Sequence, residues 1–238
     1  MSNTSLWSRR RLLGAACALP LLGFFIWAWN SGPLNLRDRI FPRHLAEVYP
    51  GFLYRSGQIS AGLIEPTLRD LGIDVIVDLN GDRGAGDEEQ KTEQQTAQRL
   101  GIAYHNFTLN GSGTGAVDQY VGALEVIARA DTAGKRVLVH CRAGDRRTGG
   151  VVAAYQAIVR REPWSRAMLE LERYSRKPLG SSRLLPYLHE NLDTMQAMLI
   201  ARGVLSGVAA TDRPSEALDR YDPSLLSSSK PDGDRAAD

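Results

Sequence analysis

The sequence predicts an α/β fold, a central mostly parallel sheet flanked by helices, with an N-terminal transmembrane helix ahead of it. Two apolar runs of strand length, residues 73–79 and 137–139, are each followed by a polar turn and further helix-forming sequence, the alternation that builds parallel sheets. Residues 137–150 pass from one of these strands through a tight loop into a helix start. Residues 12–29 carry no charge at all.

The 238 residues are 43% hydrophobic and 24% charged, which suits a globular chain with one domain plus appendages. A net charge of +2 argues neither for nor against nucleic acid, and no nucleic acid is expected as a partner. Cys17 and Cys141 lie in unlike surroundings, so there is no disulfide framework.

Residues 1–11 end in Arg9-Arg10-Arg11, and the uncharged stretch 12–29 follows. As a helix it spans about 27 Å, near the ~30 Å of a bilayer core, with Trp27 and Trp29 at the far interface. It reads as an uncleaved membrane anchor, the rival reading being a cleaved export signal of twin-arginine type. The arginines place residues 1–11 in the cytoplasm and the rest outside it, in the periplasm or an extracytoplasmic space, although Arg37, Arg39 and Arg43 pull the other way. Residues 30–45 mix Pro, Gly, Asn and charge and read as a linker.

The domain is expected over residues 46–204. Residues 52–55 are strand-like, and Leu63, Ile64, Leu68 and Leu71 mark the first helix. Residues 73–79 form a buried β-branched strand, 80–95 a solvated loop and an acid-rich helix start, and 102–109 another strand. Residues 110–115 are glycine-rich ahead of a helix at 117–130. Beyond the loop, helices are expected from Val151, at 166–174, and at 181–201 with Leu185, Leu188, Leu192, Met195 and Leu199 on its apolar face. Residues 205–238 lack periodicity and read as a disordered tail.

The chemistry concentrates in residues 137–150. A loop between a strand and a helix N-terminus turns backbone N–H groups inward, where the helix end adds positive partial charge, so an oxyanion such as phosphate fits. Cys141 enters that hole, and such surroundings bring a thiol from ~8.5 down to roughly 3.5–7.5. Arg147, six positions on, can present a planar fork to two phosphate oxygens as Cys141 attacks phosphorus. Thr148 is placed to donate a hydroxyl to the departing sulfur. His140 orders the loop backbone, since a thiolate needs no base.

His140-Cys141-x5-Arg147-Thr148 resembles the signature of the cysteine-dependent protein-tyrosine and dual-specificity phosphatases, including their phosphoinositide and inositol-phosphate relatives. Leu53-Tyr54-Arg55-Ser56-Gly57-Gln58, a helix, then Gly72-Ile73-x-x-Ile76-Val77-Asp78-Leu79 is similar to the opening of bacterial atypical dual-specificity phosphatases, so the likeness covers roughly residues 48–195. It implies hydrolysis of phosphotyrosine or another phosphoprotein through a phosphocysteine, without metal or other cofactor, at the membrane if the anchor holds. Arg142, Ala143, Gly144, Asp145 and Arg146 then line the substrate phosphate.

The resemblance also implies an aspartate about thirty residues before the cysteine that protonates the leaving group. Asn110 and Gly111 stand there instead. Asp118 is the nearest candidate, competing with a plain first-turn role, and Asp145 is a second, competing with bracing of the loop. The missing acid favours good leaving groups. Arg142 and Arg146 resemble the extra charge of relatives that act on inositol phosphates, phosphoinositides or inositol pyrophosphates, which stay open as substrates. A non-catalytic phosphate-binding module would use the same loop, but has no need of its nucleophile.

Overall fold

The computed structural model describes residues 40–84, 86–175, 179, 182–206 and 214–215. The chain divides into two units, residues 1–42 and residues 43–238, and the second holds every strand and helix discussed below. The expected anchor at 12–29 lies outside the described residues, as do most of residues 30–45 and most of the tail. No helix among the described residues is long and apolar enough to cross a membrane.

Five short strands form one sheet: β1 (Ala46–Tyr49), β2 (Leu53–Ser56), β3 (Val75–Asp78), β4 (Ala103–Asn106) and β5 (Val137–His140). Their spatial order is β1-β2-β5-β3-β4, parallel throughout except for the β1–β2 hairpin. The sequence reading missed β1, because Tyr49-Pro50-Gly51 reads as a turn and Ala46-Glu47-Val48 before it offers no apolar run.

Alternation along the strands divides the core between two faces. Leu53, Val75, Val77, Val137 and Val139 pack against α3 (Val117–Thr132), α4 (Arg146–Ala154), α5 (Trp164–Tyr174) and α6 (Leu184–Ala201). Tyr54, Ile76 and Leu138 point the other way, onto α1 (Ala61–Leu71) and α2 (Glu88–Leu100). The expected α/β architecture is therefore present as three layers. On α6 the buried stripe is Leu184, Leu188, Leu192, Met195 and Leu199, with Leu185 only at its edge.

The solvated reading of residues 80–95 holds for Glu88, Glu89 and Lys91 but fails at Gln90 and Glu93, which are buried. The side chain of Asp87 caps α2 by accepting the Gln90 N–H at 2.9 Å, which starts the helix where its polar inner face meets the sheet. β5 lies at the sheet's centre between β2 and β3. Its C-terminal end, where the loop begins, is thereby walled on both sides by neighbouring strand ends, where ligands bind in open parallel sheets.

Candidate active site

The loop from Cys141 to Arg146 leaves β5 and enters α4, and its shape follows from what holds its carbonyls. Arg142 O accepts the Gln58 N–H at 3.2 Å, and Asp145 O accepts the Gly149 N–H at 2.7 Å. Ala143 O is held by His44 Nδ1 at 2.9 Å, and Gly144 O by the Arg55 guanidinium. A trans peptide sets its N–H opposite its C=O. Four successive carbonyls tied outward therefore aim the N–H groups of Ala143, Gly144, Asp145 and Arg146 inward, toward an anion.

Gly144 makes the close approach to β2 possible. Its φ is +66°, and a Cβ there would sit 2.5 Å from Gly57 N and 2.7 Å from Ser56 C. Gly113, on the facing segment, is likewise left-handed, and a Cβ on it would come within 3.0 Å of Arg146 O.

Arg55 is entirely buried, a costly place for a guanidinium unless it is fully engaged. Its Nη1 meets Glu170 on α5 at 2.7 Å, its Nη2 donates to Gly144 O, and the guanidinium lies 3.8 Å from the centre of the Tyr174 ring, while Nε has no partner among the described residues. α5 is thus wired to the catalytic loop through β2.

Cys141 is 2% exposed. Burial works to raise its pKa, but the Thr148 hydroxyl, the Arg147 guanidinium and the N–H groups of Thr148 and Ala143 outweigh it and hold the thiol below its ordinary value. Thr148 is fully buried beside Cys141, and among the described residues no other group competes for its hydroxyl. Arg147 rests on Leu79 O at 3.3 Å, at the end of β3. Arg142 is exposed; Asp145 and Arg146 are half-buried.

His140 is buried beneath the loop with Glu93 at 3.1 Å and Asp78 at 3.9 Å. Burial alone would lower its pKa, but the carboxylates of Glu93 and Asp78 and the neighbouring Cys141 raise it to about 9, so it is an imidazolium at neutral pH. Linear spacing gave no cation site, yet the ligand atoms of Asp78, Glu93 and His140 all lie within 4.8 Å of one another. Asp78 already takes five donors: Asn80 N and Nδ2, Gln90 Nε2, Tyr104 OH and Asn106 Nδ2. The charge this cluster neutralises is the imidazolium itself.

The Asp118 carboxylate takes the Arg202 guanidinium at 3.0 Å and is 70% exposed. Tyr120, two positions on and so across the helix, lies near enough to Cys141 to feel its charge, and its hydroxyl donates to Gly113 O. The segment at 110–115 closes on itself, with Asn110 N on Thr114 O at 2.7 Å. Arg83 reaches Gln58 Oε1 at 3.0 Å and so stands near the loop's outer wall.

Sequence reasoning missed His44, Arg55, Asp78 and Glu93. Arg55 and Asp78 left a signal, a charge inside a strand run. Glu93 and His44 left none, one among many polar residues and the other in an expected linker.

Residues 56–160 match the family model described as Tc-R-P: Polymorphic toxin system, DSP-PTPase phosphatase. These residues form a cysteine-dependent phosphatase domain of the tyrosine/dual-specificity type. The phosphatase domain's fold recurs in solved structures. Tk-PTP in its active form is 19% identical, with 65% of this chain and 97% of that one covered and a TM-score of 0.52. Pseudomonas aeruginosa TpbA is 18% identical over 67% and 98%, with a TM-score of 0.50. The core catalytic domain of the PP-IP phosphatase SIW14 from Saccharomyces cerevisiae, in complex with citrate, is 15% identical over 69% and 96%, with a TM-score of 0.55. No curated protein matches the chain.

Proposed function

We propose that this phosphatase domain hydrolyses phosphate monoesters with good leaving groups, phosphotyrosine above all, through a phosphocysteine. The observation that carries the reading is the Cys141 thiol, held below its ordinary pKa at the base of a loop whose four carbonyls are tied outward. The thiolate attacks phosphorus, the P–O bond breaks, and the alcohol oxygen leaves with the bonding pair. Inward N–H groups and the Arg147 fork hold the equatorial oxygens. Water then attacks phosphorus, the S–P bond breaks, and sulfur departs as a thiolate steadied by Thr148. The water's proton passes to the phosphate released.

The leaving group follows from the acid position. Asn110, Ser112 and Thr114 occupy the segment from which an acid would come, and Asp118 is tied to Arg202. A phenol of pKa ~10 leaves without a proton far more readily than an alkyl alcohol. A second reading, an inositol phosphate, phosphoinositide or inositol pyrophosphate, is favoured by the exposed Arg142 and half-buried Arg146 at the rim. Attachment to a membrane through residues 12–29 is supported by the apolar run, and placement of the domain outside the cytoplasm by Arg9, Arg10 and Arg11 ahead of it.

The test assays the full chain with chelator present, on an aryl phosphate, a phosphotyrosine peptide, a phosphoserine peptide and inositol polyphosphates. Aryl turnover that survives chelation and vanishes in Cys141→Ser supports the reading. Phosphoserine turnover equal to phosphotyrosine turnover overturns the leaving-group argument.

A further inference from the structure

His44 lies outside the catalytic motif, ninety-nine positions before Ala143, in a stretch that the sequence marks as linker. Its Nδ1 is 2.9 Å from Ala143 O. A carbonyl can only accept, so Nδ1 carries the hydrogen, whether the ring is neutral or charged. The backbone at His44 has φ +50°, a left-handed conformation uncommon outside glycine, in which Asn, Asp and His are the side chains most often found. The neighbouring Arg43 O accepts the Gly57 N–H at 2.7 Å, which lashes this segment to the end of β2.

The ring is also backed. Its centroid is 5.7 Å from that of Tyr174, and Tyr174 in turn lies over the Arg55 guanidinium at 3.8 Å. Arg55 holds Gly144 O, the next carbonyl along. Two adjacent loop peptides are therefore held by one run of contacts, the His44 ring tilted against Tyr174 and Tyr174 over Arg55.

We propose that His44 is a positioning residue for the phosphatase reaction: by holding the Ala143 carbonyl outward it aims the Gly144 N–H at the phosphoryl oxygens. The peptide between Ala143 and Gly144 is planar, so its two polar ends turn together. The left-handed kink at His44 is what turns the ring onto the loop. This inference rests on the proposed use of the loop for a phosphoryl group, and deepens it by bringing the segment ahead of the domain into the site.

The test compares the full chain with His44→Gly and His44→Asn. Glycine accepts the left-handed backbone and removes the donor together with the ring that meets Tyr174; asparagine tolerates that backbone and restores an N–H without the ring. Orthovanadate affinity, kcat and KM for an aryl phosphate, and Tm are measured for each. Removing an oxyanion donor outright lowers kcat by ~10²–10³, and loosening one is expected to lower kcat and vanadate affinity by about tenfold in His44→Gly. Tm should stay within a few degrees, and His44→Asn should regain part of both losses. Vanadate affinity and kcat within twofold of wild type in His44→Gly overturn the proposal. So does a loss that asparagine does not relieve, or one matched by a collapse in Tm. Vanadate binding reads the loop without turnover, so failure on every phosphate ester would count against the reaction and not against His44.

Discussion

Nε2 of His140 lies 3.1 Å from Oε2 of Glu93, and neither side chain is exposed to solvent. Burial opposes the imidazolium, but Glu93 and Asp78 raise its pKa to about 9, above the ~6.5 of an unfolded histidine. A raised folded pKa contributes stability that is fully present below ~6.5 and lost as pH climbs through about 9, here on the order of 3 kcal/mol. Glu93→Gln should therefore lower stability at pH 6 and flatten the fall between pH 6.5 and 9. Urea unfolding across that range checks it. An unchanged alkaline slope would mean that Glu93 does not hold the proton on His140.

The buried Thr148 hydroxyl and the Arg147 guanidinium both draw the Cys141 thiol down against the effect of burial. Thr148→Val keeps the shape and removes the hydroxyl. A hydrogen bond to a charged group contributes ~1.5–3 kcal/mol, so turnover should drop by about ten- to a hundredfold. The pH profile of iodoacetamide alkylation should move upward at the same time. An alkylation profile that stays in place would remove Thr148 from thiolate stabilisation.

The loop and its strand were legible because they are local: a β-branched run, Cys141, Gly144, Arg147 and Thr148 fall within fourteen consecutive residues. The strand at 73–79 was legible as a β-branched buried run. What the sequence hid is held together at long range. Arg55 meets Gly144 eighty-nine positions away, and His44 meets Ala143 across ninety-nine. Glu93 could not be told from Glu88 or Glu89 by composition, because only the turn of a capped helix puts it inward. β1 escaped because Ala46-Glu47-Val48-Tyr49 lies at the sheet edge, is only partly buried, and runs straight into Pro50-Gly51.

Asp118 fills the first turn of α3 and pairs with Arg202 beyond the end of α6. Surface pairs of this kind contribute about 0–1 kcal/mol. Asp118→Asn is expected to leave kcat for an aryl phosphate within about twofold and to shift Tm by no more than about two degrees. Steady-state kinetics from pH 5 to 8 decide it. A loss of a hundredfold or more for a poor leaving group would return the general acid to Asp118.

Gly144 offers the sharpest contrast between two glycines of one molecule. At φ +66°, an added Cβ meets Gly57 N at 2.5 Å and Ser56 O at 2.8 Å, both backbone atoms of a strand end that cannot swing aside. Gly111, in the acid-free segment, has no atom within 4 Å of the same addition. Gly144→Ala must push the loop off β2, which parts Arg55 from the Gly144 carbonyl and Gln58 from the Arg142 carbonyl together. Two inward N–H groups lose their aim, so turnover should fall by at least about a hundredfold. Vanadate affinity should fall with it, whereas Gly111→Ala should change neither by more than about twofold. Kinetics and vanadate titration of the two variants side by side check this. Equal behaviour of the two would mean that the loop's anion hole does not depend on its contact with β2.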